Sequence, residues 1–115
     1  LEILQLTQTI TKAIDDKKGE DIKILDLQGL TEIADYFIIA TGNTQSHLKS
    51  ICDFIEEKVK EKGITPIRIQ GYDEAVWIVI DYGDIVVHLF NPEAREYYQL
   101  EKFWRNAKNI GIMSS

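Results

Sequence analysis

The sequence is poor in residues that staple or ligate. It has one cysteine, Cys52, and two histidines, His47 and His88. A lone cysteine rules out an internal disulfide, which fits a reducing compartment. Cys52 falls on the apolar stripe of an expected helix, so it reads as a small buried hydrophobe rather than a reactive thiol. There is no HxxxH, CxxC or His/Cys cluster, so no zinc site is expected. No apolar run nears the ~20 residues of a membrane span and no targeting segment is visible, so a cytoplasmic protein without a membrane partner is expected. Seven glycines and two prolines form no linker or low-complexity tract in 115 residues, and a single domain over 1–115 follows. Basic charge is also scarce: 13 Lys and Arg stand against 19 Asp and Glu, a net charge of −6. That balance argues against sequence-independent binding to nucleic acid and suits a basic protein surface.

What is present reads as α-β-β-α-β-β-β-α, a mixed α/β sheet of about five strands flanked by helices. Residues 1–18 carry Leu4, Leu6, Ile10, Ala13 and Ile14 at helical spacing, weakened by three threonines. Ile22–Leu27 reads as a strand. Tyr36-Phe37-Ile38-Ile39-Ala40 is apolar on both faces, as in a central strand covered on both sides. Thr44 or Asn43 can cap a helix over 45–62, with Leu48, Ile51, Cys52, Ile55 and Val59 on one stripe. Residues 64–70 form a short strand. Asn91-Pro92 starts a helical segment over 92–107, in one piece or two, and 108–115 form a frayed tail.

The chain is organised around Ala75–Phe90. Two β-branched arms flank Asp81-Tyr82-Gly83-Asp84. With Tyr82 and Gly83 as the loop, Asp81 lies opposite Asp84, Val79 opposite Val86, Trp77 opposite His88 and Ala75 opposite Phe90. One face is then aliphatic (Val76, Ile78, Ile80, Ile85, Val87, Leu89). The other carries Trp77, Val79, Asp81, Asp84, Val86, His88 and Phe90.

Three chemistries compete for that second face and its tip. Asp81 and Asp84, with Asp26 or Asp35, offer carboxylates for Mg²⁺ in nucleotidyl or phosphoryl transfer. Aspartates in a turn equally cap backbone N–H groups, or meet a partner's Arg or Lys. His88 reads as a half-buried, hydrogen-bonded histidine rather than a base beside Asp81. Gly42-Asn43-Thr44 lacks the lysine of a phosphate-binding loop. Arg95, Tyr97, Tyr98, Phe103 and Trp104 form an aromatic C-terminal segment; Tyr98 and Trp104 are expected to close the core, while an aromatic-plus-Arg group also suits a protein interface.

Taken together, Asp35-Tyr36-Phe37-Ile38-Ile39-Ala40-Thr41-Gly42, His47, Gly71, Trp77, Asp81 to Phe90 and Arg95 to Trp104 resemble the Iojap-like ribosomal silencing factors, over about 26–104. The resemblance implies a fold distantly similar to nucleotidyltransferases without their catalytic residues, and no cofactor. It implies binding to the large ribosomal subunit through its fourteenth large-subunit ribosomal protein. Small-subunit joining would be blocked sterically, repressing translation under nutrient limitation. The implied contact surface maps to Trp77, Asp81, Tyr82, Asp84 and His88. Two positions depart from the family pattern: Gln70 stands where a glutamate is usual, and Thr44 where a serine is common. The competing readings are a metal-dependent transferase using Asp81, Asp84 and Asp26, and a homodimer formed off the ribosome through the same face.

Overall fold

The computed structural model describes residues 2–110. The elements run α1 (Ile3–Asp16), β1 (Glu20–Asp26), β2 (Tyr36–Thr41), α2 (Gln45–Lys60), β3 (Arg68–Gln70), β4 (Trp77–Asp81), β5 (Ile85–Phe90), α3 (Pro92–Tyr98), α4 (Leu100–Phe103) and β6 (Lys108–Asn109). The strands form one mixed six-stranded sheet in the order β3-β4-β5-β2-β1-β6. β2 and β5 run parallel and every other neighbouring pair is antiparallel. A parallel neighbour requires a crossover, and α2 with β3 and β4 provides it.

β2 and β5 are buried along their whole length because helices cover both sides of the sheet centre. On one side α1 and α2 pack Ile10, Ile14, Leu48, Ile51, Ile55 and Val59 against Ile24, Ile38, Ile78, Ile80, Val87 and Leu89. On the other, Ala94 of α3 and the half-buried Leu100 and Trp104 lie over Leu25, Phe37, Ile39, Val86 and Phe90.

Local chemistry sets the helix ends. The Thr44 hydroxyl accepts from the His47 N–H at 3.0 Å, and the Asn91 side chain accepts from the Ala94 N–H at 2.7 Å, with Pro92 in the first turn. The threonines of α1 are accommodated by back-bonding. Thr7 donates to the Leu4 carbonyl at 2.7 Å and Thr11 to the Thr7 carbonyl at 2.9 Å, so both are buried and satisfied. Gln99 takes a left-handed conformation (φ 48°), which divides α3 from α4.

Three sequence expectations are corrected. The hairpin pairs Trp77 with Phe90, Val79 with His88 and Asp81 with Val86, two residues away from the expected register. The Asp81 carboxylate accepts from the Gly83 N–H at 2.8 Å, the Tyr82 N–H donates to the Ile85 carbonyl at 2.9 Å, and Gly83 has φ +91°. The loop is therefore Gly83-Asp84, and Asp81 does not face Asp84. An even slip leaves the paired residues on their expected faces, and Tyr82 joins the aliphatic one; Val76, expected on that face, is instead exposed just before β4, and Ala75, at φ +50°, packs on the α1/α2 side. The expected strand over 64–70 shortens to β3. Of the expected frayed tail, Lys108 and Asn109 pair with Asp26 and Leu25 on the open edge of β1; residues 111–115 lie outside the described residues.

Candidate functional site

The face opposite α1 and α2 carries a continuous set of rings. Trp77 on β4 stacks on Phe90 of β5 at 4.9 Å and meets Tyr98 of α3 at 4.7 Å. His88 lies beside it, against Phe37 at 4.5 Å. The Trp77 indole N–H donates to His88 Nδ1 at 3.1 Å. These two side chains are diagonal rather than opposite neighbours, within reach of long side chains on one sheet face. Trp77 is half-buried, Tyr98 is 51% exposed, and Tyr97 and Phe103 are 80% and 75% exposed. Gly71, Glu74, Val76, Trp77 and Tyr98 line a shallow groove of about 340 Å³. Gly71 is required there: at φ +79°, a Cβ would lie 2.1 Å from the Trp77 carbonyl oxygen, so only glycine lets the turn approach the strand.

Arg95 holds this layer in place. Its side chain is only 10% exposed. It makes a fork to Glu101 at 2.9 and 3.0 Å and donates to the Asp21 carbonyl and the Thr41 hydroxyl, both at 2.8 Å. Its donors thus face inward, toward β1, β2 and α4, so the arginine of the aromatic-plus-Arg segment belongs to the closing of the core. Its partners sit 6, 54 and 74 residues away, and no local pattern could reveal them.

The five expected contact residues separate into two places. Trp77 and His88 belong to the ring cluster, but His88 is only 6% exposed. Asp81, Tyr82 and Asp84 form the hairpin tip. The Asp81 carboxylate is half-buried, caps Gly83, and lies 3.8 Å from the Arg68 guanidinium. Asp84 has an exposed side chain, while its carbonyl accepts from the Asp35 and Tyr36 N–H groups at 2.8 and 3.1 Å. Tyr82 turns toward the α1/α2 side. Its hydroxyl is buried without a hydrogen-bond partner among the described residues, and burial, with Glu56 and Cys52 adding to it, raises its pKa.

The metal-site alternative does not assemble. Asp26 pairs with Tyr36 and Tyr36 with Ile85, whereas Asp81 pairs with Val86. Asp26 and Asp81 are thus separated by three strand spacings, ~14 Å. Among the described residues, the one group of His, Cys and acidic side chains close enough to share an ion is Cys52, Asp53 and Glu56. There the Cys52 thiol is buried and pushed up to about 12 by desolvation and then by its acidic neighbours, and Asp53 accepts from the Tyr72 hydroxyl at 3.0 Å. His47 is committed as well: its Nδ1 accepts from the Asn43 N–H and its Nε2–H donates to the Lys17 carbonyl at 2.7 Å.

Desolvation pushes the His88 imidazole down to about 4. An unfolded histidine titrates near ~6.5. Between these values the unfolded chain binds a proton that the folded chain refuses. Stability is therefore complete above pH ~6.5 and falls as pH drops toward 4, by ~3 kcal/mol in all. Urea midpoints measured from pH 7 to 4 will show this slope in the wild type and a shallower one in His88→Asn.

The family model described as "Ribosomal silencing factor during starvation" matches residues 1–114. "Ribosomal silencing factor RsfS" of Halalkalibacterium halodurans is 40% identical over 108 residues, covering 94% of this chain and 92% of that protein. The mouse protein "Mitochondrial assembly of ribosomal large subunit protein 1" is 31% identical over 91 residues, covering 76% of this chain and 40% of its own length. The crystal structure of protein CV0518 from Chromobacterium violaceum superposes with a TM-score of 0.89 at 30% identity, covering all of this chain and 95% of that one. Matched over nearly its whole length in both sequence and fold, this chain belongs to the ribosomal silencing factor family.

Proposed function

We propose that this chain binds the large ribosomal subunit through the fourteenth large-subunit ribosomal protein. Occupying that site excludes the small subunit and represses translation under nutrient limitation; the action needs occupancy and no bond-making step. The observation that carries this reading is the ring cluster. Large aromatics stand exposed on α3 and α4 beside a half-buried tryptophan, with Glu74 in the adjoining groove, on a chain of net charge −6. Aromatic anchors with an acidic rim suit a basic protein partner. An interface of ~1,200–2,000 Å² suffices when such an anchor is buried on docking.

Within this reading Trp77 is the anchor and Asp84 presents an exposed carboxylate. Asp81 and Tyr82 shape the tip from below, and His88 acts through Trp77. The deciding experiment is subunit joining with purified ribosomal subunits. Preincubating large subunits with the chain is expected to suppress their association with small subunits; undiminished association at saturating chain would refute the proposal. Charge at the tip gives a second measurement. Asp84→Lys is expected to weaken binding to large subunits about 10-fold at low salt, with the deficit shrinking as salt rises. Adding Asp81→Lys should deepen it.

A further inference from the structure

We propose that His88 is a positioning residue that fixes the orientation in which Trp77 is presented to a docking partner. The role rests on the docking reading above.

The geometry supports it in three steps. First, the rings around Trp77 restrain it only loosely. Contacts with Phe90 and Tyr98 at 4.9 and 4.7 Å hold the plane of the indole, but stacking is tolerant of sliding and of a flip about χ2. The N–H···Nδ1 bond at 3.1 Å is directional. It specifies which edge of the indole faces the sheet and which faces out.

Second, packing does not explain a histidine at this position. Val79 lies directly across from it, and Val86 lies two residues before it on the same face. Phe37, Trp77 and Phe90 complete the surroundings, and an aliphatic or phenyl side chain would fill them without a polar cost. His88 instead is buried, with Nε2 lacking a partner among the described residues, a desolvation penalty that a leucine would avoid. What the imidazole provides in return is one acceptor, aimed at Trp77.

Third, the bond requires one protonation state. Nδ1 accepts, so the ring is neutral with its proton on Nε2. The groups packed on it are Phe37 from β2, Trp77 from β4 and Phe90 from its own strand. None of them is charged, so nothing there favours the imidazolium.

Two variants separate orientation from packing. His88→Leu keeps the volume and removes the acceptor. His88→Asn restores an acceptor close to the Nδ1 position. Binding to purified large subunits should weaken about 10-fold or more in His88→Leu and return to within about 3-fold of wild type in His88→Asn. The Trp77 indole N–H resonance, assigned against Trp104→Phe, should shift in the first variant and return toward its wild-type position in the second. Wild-type binding by a folded His88→Leu chain overturns the role while leaving the docking reading intact, and so does failure of His88→Asn to rescue. Failure of the wild-type chain to bind removes both. If His88→Leu does not fold, the wild type still decides. Long-range ¹⁵N–¹H correlation should show Nδ1 bare, Nε2 protonated, and a coupling across the hydrogen bond to the Trp77 indole nitrogen. A proton on Nδ1 would overturn the proposal.

Discussion

Arg95→Met is expected to destabilise the fold by ~2–3 kcal/mol and to release α3 and α4 from the sheet. The estimate follows from what the guanidinium leaves behind. The Glu101 carboxylate loses both of its fork bonds, and the Thr41 hydroxyl and the Asp21 carbonyl each lose a donor at 2.8 Å. Breaking a fully buried pair costs ~3–5 kcal/mol, but Glu101 is 34% exposed and water recovers part of that. The Asp21 carboxylate, 3.5 Å away and 62% exposed, adds little. Arg95→Lys should recover only a fraction, because one ammonium cannot reproduce a planar fork together with two further bonds. Urea denaturation gives the stability change. Near-UV circular dichroism reads the accompanying loss of Tyr98 and Trp104 from their packed positions. An unchanged midpoint would mean that α3 and α4 are held by apolar contacts alone.

The sheet and its two covered faces were legible because periodicity is a local signal. A five-residue run apolar on both sides gives a central strand wherever it pairs, and Thr44 and Asn91-Pro92 cap helices using atoms within three residues. The hairpin register was less legible. Asp81-Tyr82-Gly83-Asp84 can turn at two places, and the choice depends on the Asp81 carboxylate reaching the Gly83 N–H. Either turn leaves the paired residues on the same faces, because the two registers differ by an even number of residues. β6 has two residues and no pattern of its own; the free edge of β1 makes it a strand. Within the candidate site, Trp77 and His88 were placed on one face correctly. The turn signal puts Tyr82 in the loop, whereas its N–H bonds Ile85 and its ring packs toward α1 and α2. The outward aromatic surface and the Arg95 tether depend on how the chain closes after Gln99, a left-handed turn at a non-glycine residue that no local signal announces.

Trp77→Ala is expected to weaken binding to large ribosomal subunits on the order of 100-fold, enough to abolish co-sedimentation. Under the proposed function, Trp77 is the group whose remaining exposed surface is removed from water on docking, at the centre of a cluster where Tyr98, Phe90 and His88 already hold it. A ring restrained before contact loses little conformational freedom on binding, so more of its burial appears as affinity. The substitution also acts on the free chain. It removes the 4.9 Å stack on Phe90 and the only donor to His88 Nδ1 among the described residues, and should cost a few kcal/mol of stability at most, because Trp77 is only half-buried. The two effects can be separated. Trp77→Phe keeps most of the apolar contact but leaves His88 Nδ1 without its donor, so it should lie between wild type and alanine in both binding and urea midpoint. If Trp77→Ala folds and still co-sediments with large subunits, the anchor lies elsewhere on the aromatic surface, and Tyr97 and Phe103, the most exposed of its rings, become the residues to replace. If binding falls in proportion to stability across the three chains, Trp77 supports the fold and does not touch the partner. Loss of binding out of proportion to loss of stability is the result that assigns it to the interface.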